Sequence, residues 1–167
     1  MWLKRYQETK IKELLEKTKN LLRYPTAKKL VFKSPTGSGK TIMMAEFLKL
    51  LVEDREVRQS LSFIWTAPRP VLTNQSKEKL EAYFAESRVL QCSFFEDLDD
   101  IKISENEILF FNWESVRHED LIYIRDNERD NNLSNILKRT KEEGRQIILI
   151  IDESHYHAQA ETSQRLI

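Results

Sequence analysis

Ser34 to Thr41 reads SPTGSGKT, and two of the only three glycines in the 167-residue chain, Gly37 and Gly39, stand inside these eight residues. Backbone N–H groups converge on a phosphate only where no side chain intervenes, and glycine permits that close, partly left-handed path. In such a cradle Lys40 reaches the β- and γ-phosphates and the Thr41 hydroxyl ligates Mg²⁺. Thr36, Gly37, Ser38 and Gly39 form its floor. A helix starting at this point turns its positive N-terminal end toward the phosphates.

The flanks fit. Lys28 to Phe32, KKLVF, leads into the loop as a predicted strand, and Met43, Met44, Phe47, Leu48 and Leu51 recur behind it at helical spacing. Strand, loop and helix in that order are what a P-loop requires. The GxxxxGK[ST] pattern has glycine at its first position, where this chain has Ser34.

Twenty-seven basic and 27 acidic residues cancel, so a nucleic-acid contact has to come from a local surface and not from a global field. The single Cys92 excludes an intramolecular disulfide and suits a reducing cytoplasm. No apolar run approaches the roughly 18 residues of a membrane span. The expectation is one soluble, cytoplasmic domain over 1–167, without a membrane partner.

Along the chain, Ile11, Leu14, Leu15 and Leu22 predict an amphipathic helix ending before Pro25. LSFIWTA at 61–67, EILFFN at 107–112 and QIILII at 146–151 are apolar enough for buried strands, and RVLQC at 88–92 is a weaker one. Helices are expected through Leu72, Leu80, Tyr83 and Phe84, and from Leu133 to a left-handed cap at Gly144. Residues 121–132 turn polar and read as an exposed insertion. Apolar strands separated by helices predict an α/β fold, a mostly parallel sheet covered on both faces.

The strand 146–151 delivers Asp152, Glu153, Ser154 and His155 at its C-terminal end, where open α/β sheets bind ligands. Asp152 can hold the Mg²⁺ that Thr41 serves, Glu153 can deprotonate an attacking water, and His155 can sense the γ-phosphate. The plainer reading is that these residues cap the following helix. His155 and His157 without further Cys or His argue against zinc.

SPTGSGKT and DESH together resemble motifs I and II of superfamily 2 helicases and translocases, the DExH branch, among which a small residue in place of the first glycine is common. That resemblance implies a RecA-like P-loop domain using ATP and Mg²⁺. LKRYQ at 3–7 resembles the adenine-recognising Q motif within a 1–25 helical region, implying that Gln7 reads the base edge with Tyr6 or Arg5 packed nearby. TAPRPVLTNQ at 66–75 resembles motif Ia, which implies contacts of Pro68, Arg69, Leu72 and Gln75 with strand phosphates. Asn112 stands where many superfamily 2 proteins carry a strand-contacting Thr. FFNWESV at 110–116 with 133–155 narrows the likeness to the Res subunits of type III restriction enzymes.

That family implies an ATP-dependent DNA helicase or translocase working in restriction-modification beside a methyltransferase (modification) subunit, with a second RecA-like domain in the same chain. A non-translocating P-loop ATPase and a nucleotide-dependent adaptor remain the alternatives. The resemblance also implies that the motif III strand runs between the P-loop strand and the DExH strand. Here 1–167 is expected to be a partial domain truncated before that strand, hydrolysing ATP only in a full-length parent and inactive alone. Lys28–Phe32 and Gln146–Ile151 are then expected to flank a slot or to collapse into direct pairing, leaving a piece that is marginally stable or prone to associate.

Overall fold

A computed structural model describes residues 3–24, 26–35, 37–112 and 133–152. In chain order these form α1 (Arg5–Leu22), α2 (Lys40–Glu53), β1 (Leu61–Ala67), α3 (Pro70–Phe84), β2 (Gln91–Ser93), β3 (Glu107–Asn112), α4 (Leu133–Glu142) and β4 (Gln146–Ile151). The four strands make one sheet in the order β2-β3-β1-β4. All its pairings are parallel.

β1 sits between two neighbours and is buried at all seven positions. Side chains alternate across a strand, and two cores follow. Phe63 and Trp65 of β1, Ile108 and Phe110 of β3, and Ile148 and Ile150 of β4 pack on one face with Ile11 and Leu14 of α1, Met43 and Leu48 of α2, and Leu80 and Phe84 of α3. Ile64, Leu109, Phe111 and Ile147 face the other way, toward Leu133 and Ile136 of α4. Helices on both faces and apolar central strands are one physical solution: β1, and β3 over all but its last residue, bury both sides.

Local signals set the boundaries. Pro70 opens α3 at a position where the missing N–H costs nothing. Gly144, at φ 79°, closes α4. Its N–H donates to the Lys141 carbonyl (2.9 Å) and the Arg145 N–H to that of Thr140 (3.3 Å), the paired bonds of a Schellman cap. α1 is tied down at its far end by Lys19, whose ammonium lies 2.8 Å from Glu56, 2.9 Å from Asp54 and 3.3 Å from Glu16. Those carboxylates, Glu56 first, hold the Lys19 pKa well above the ordinary lysine range.

One expected strand is absent. Lys28–Phe32 does not join the sheet: Leu30 and Val31 are exposed, Val31 to 74%, and only Phe32 packs against the core. A β-branched, aromatic run becomes a strand only when another strand offers a ladder, and among the described residues none lies beside it. It does not pair with β4. β4 pairs with β1 alone among the described residues. Its residues are partly exposed, Leu149 to 38%. The weak strand expected at 88–92 is confined to Gln91–Ser93, and the insertion expected at 121–132 lies outside the described residues.

Among the described residues, two buried side-chain polar atoms have no hydrogen-bond partner, Trp65 Nε1 and the Thr66 hydroxyl. Thr66 is fully buried, and an unsatisfied buried hydroxyl carries its desolvation cost without return. Thr66→Val, which keeps the branched shape, is expected to stabilise the fold by about 1 kcal/mol, seen as a higher denaturant midpoint at unchanged slope. Burial also pushes the Cys92 thiol up to about 12, with the Glu81 carboxylate adding to the effect. Since the thiolate is the nucleophile, Cys92 should resist alkylation at pH 8 in the folded protein and react readily in urea; equal rates in both would contradict this burial.

Candidate nucleotide-binding site

The loop preceding α2 is built on two left-handed glycines, Gly37 at φ 76° and Gly39 at φ 83°. Gly39 is the N-cap of α2, and its carbonyl accepts the Met43 N–H at 2.9 Å. Lys40 and Thr41 therefore occupy the first turn of the helix, half-buried, beside its unsatisfied N–H groups. Ser34, the departure from the glycine pattern, has a use: its hydroxyl meets that of Ser38 at 2.5 Å, joining the two ends of the loop. The Ser38 N–H bonds to the Pro35 carbonyl at 3.1 Å.

α1 closes over this loop. The Ser38 carbonyl accepts two side-chain donors from consecutive residues, the Tyr6 hydroxyl at 3.0 Å and Gln7 Nε2 at 2.8 Å. Gln7 is buried to 9% exposure. Its Oε1 accepts the Lys4 N–H at 2.8 Å, so both ends of the amide are engaged and its orientation is fixed. A Cβ at Gly39 would come within 2.9 Å of Gln7 Nε2, whereas at Gly37 it would meet nothing within 4 Å. The sequence reading gave Gln7 to the base edge; the structure gives it a bond to the P-loop backbone. A primary amide has a second N–H and a second lone pair for a further partner.

The C-terminal ends of the strands collect the remaining candidates. Register pairs Ala67 with Asn112 and Thr66 with Ile151, which brings Pro68, Arg69, Asn112 and Asp152 to one edge of the sheet. Asp152 follows β4 and its N–H donates to the Thr66 carbonyl at 2.9 Å. Two residues on from Ile150, it continues the side of β4 that joins the core shared by α1, α2 and α3. Its Oδ2 accepts the Ser76 hydroxyl at 3.3 Å. Ser76 escaped the sequence reading. Its one signal is a buried position in step with Thr73 and Leu80 on α3.

Arg69, the N-cap of α3, and Gln75 are exposed. Thr36, Glu153 and His155 lie outside the described residues. Thr41 and Asp152 supply oxygen, the donor type Mg²⁺ takes. No cluster of three or more His, Cys, Asp or Glu side chains suited to a metal occurs among the described residues. No described helix is long and apolar enough to cross a membrane.

A parallel sheet flanked by helices, with a glycine loop leading into one of them and a carboxylate at the end of a neighbouring strand, defines a RecA-like P-loop domain. A family model for the type III restriction enzyme res subunit matches residues 1–167, and the chain belongs to that family, an N-terminal domain family of helicase superfamily 2. It is a family of helicase- and ATPase-type domains. No curated protein and no solved structure gives a significant match.

The two glycines predict different outcomes. Both substitutions by Ala incur left-handed strain, but only Gly39→Ala also collides with Gln7. Gly39→Ala should therefore weaken nucleotide binding more than Gly37→Ala, and Gln7→Ala in the Gly39→Ala background should recover part of the difference in a fluorescent-ATP titration.

Proposed function

We propose that the chain is the ATP-binding lobe of an ATP-dependent DNA helicase or translocase, the motor of a type III restriction enzyme. The observation that carries this reading is the left-handed Gly37 and Gly39 at the start of α2, with Asp152 following β4 at the C-terminal end of the sheet and bonded to Ser76 of α3. Lys40 is the cation for the β- and γ-phosphates, and Thr41 and Asp152 are the oxygen ligands for Mg²⁺. Bound there, Mg²⁺ neutralises phosphate charge. Gly37 and Gly39 direct backbone N–H groups at the phosphates, Glu153 takes the proton of the attacking water, and His155 responds to the γ-phosphate.

Gln7 and Tyr6 place the adenine side of the pocket against the loop, with the remaining hydrogen-bonding capacity of Gln7 turned to the base. Arg69 and Gln75, exposed on α3, and Pro68 and Asn112 at the same sheet edge contact the phosphates of a DNA strand. The working protein adds a second RecA-like lobe and a modification methyltransferase subunit, in the cytoplasm.

Lys40→Ala should weaken binding of a fluorescent ATP analogue by about ten- to a hundredfold, the worth of a charge-assisted contact. Glu153→Gln should keep that affinity and remove turnover in a full-length chain. DNA affinity should fall steeply with salt, and Arg69→Ala should lower the slope by about one. Unchanged nucleotide affinity in Lys40→Ala would refute the site; nucleotide binding with no DNA affinity would leave a plain P-loop ATPase.

A further inference from the structure

Ser76 is 5% exposed in the middle of α3. A serine inside a helix ordinarily turns its hydroxyl back to the carbonyl four residues earlier. Thr73 on the same helix does so, donating to the Arg69 carbonyl at 3.3 Å. Ser76 instead reaches out of its helix to Asp152 Oδ2, 76 positions away, at 3.3 Å. Asp152 ends a strand that pairs on one side only among the described residues. Its backbone N–H donates to the Thr66 carbonyl. A donor from a separate element restricts rotation of the carboxylate.

Resting on the nucleotide reading above, we propose that Ser76 is a positioning residue for Asp152, setting from α3 the direction in which the carboxylate faces a divalent cation. Groups that hydrogen-bond to a metal ligand without touching the metal orient it, and their loss costs about ten- to a hundredfold in metal affinity. At 3.3 Å the bond is long, which puts the expected loss at the lower end. The placement has a second consequence. Gln75, next in sequence, is exposed on α3, so a displacement of α3 by a ligand on its outer face reaches the carboxylate through one side chain.

The test titrates Mg²⁺ into the full chain with a fluorescent ATP analogue and compares Ser76→Ala with Ser76→Thr. Alanine is favoured in a helix, and thermal melts establish that both variants fold. Ser76→Ala should raise the half-saturating Mg²⁺ concentration about tenfold while leaving affinity for the analogue in EDTA unchanged, and Ser76→Thr, which keeps the hydroxyl, should restore it. A Mg²⁺ requirement that Ser76→Ala leaves intact overturns the assignment of Ser76 alone. Equal weakening with and without Mg²⁺ does the same, because that is the mark of a structural role. No Mg²⁺-dependent binding in the unsubstituted chain overturns the nucleotide reading, and the role of Ser76 with it.

Discussion

The pairing of β1 on both of its edges is the constraint from which the rest of the molecule follows. Register from Leu61↔Gln146 to Thr66↔Ile151 on one side and from Phe63↔Ile108 to Ala67↔Asn112 on the other lines up three strand ends. A slip of one residue in either ladder would turn Ile148 and Ile150, or Ile108 and Phe110, away from the core they share with α2. The same slip would turn Asp152 to the far face of the sheet. Apolar packing and the placement of chemistry are thus enforced by the same ladders.

A second layer of order lies in α1, whose ion pairs at Lys19 and apolar contacts at Ile11 and Leu14 fix a helix that contributes nothing to the sheet. What it contributes is Tyr6 and Gln7, both bonded to one carbonyl in the P-loop. Glycine gives a loop the freedom to take a left-handed path and, for the same reason, the freedom to leave it. The Ser34–Ser38 contact restricts that freedom within the loop, and the double donation to Ser38 restricts it from outside.

Much of this was legible in the sequence. LSFIWTA, EILFFN and QIILII coincide with β1, β3 and β4 because fully apolar runs bounded by proline, glycine or polar residues have few other solutions. The P-loop and the cap at Gly144 were readable because glycine is scarce here and each one marks a positive φ. Lys28–Phe32 misled because strand propensity describes a surface suited to pairing, and says nothing of whether a partner stands beside it. Ser76 was invisible for a related reason: a serine within a helix carries no local sign of a carboxylate 76 residues away. The second bond of Gln7 was hidden likewise, since a motif names an amide and not the carbonyl it meets.

β4 carries a mechanical implication. A ribbon clamped along one edge yields to bending more readily than one clamped along both, and among the described residues β4 is laddered to β1 alone. Asp152 follows the last residue of that ribbon. Its position therefore depends on a ladder of six paired residues and on the Ser76 contact, whereas the loop before α2 is braced from α1. One wall of the pocket is stiff and the other is sprung.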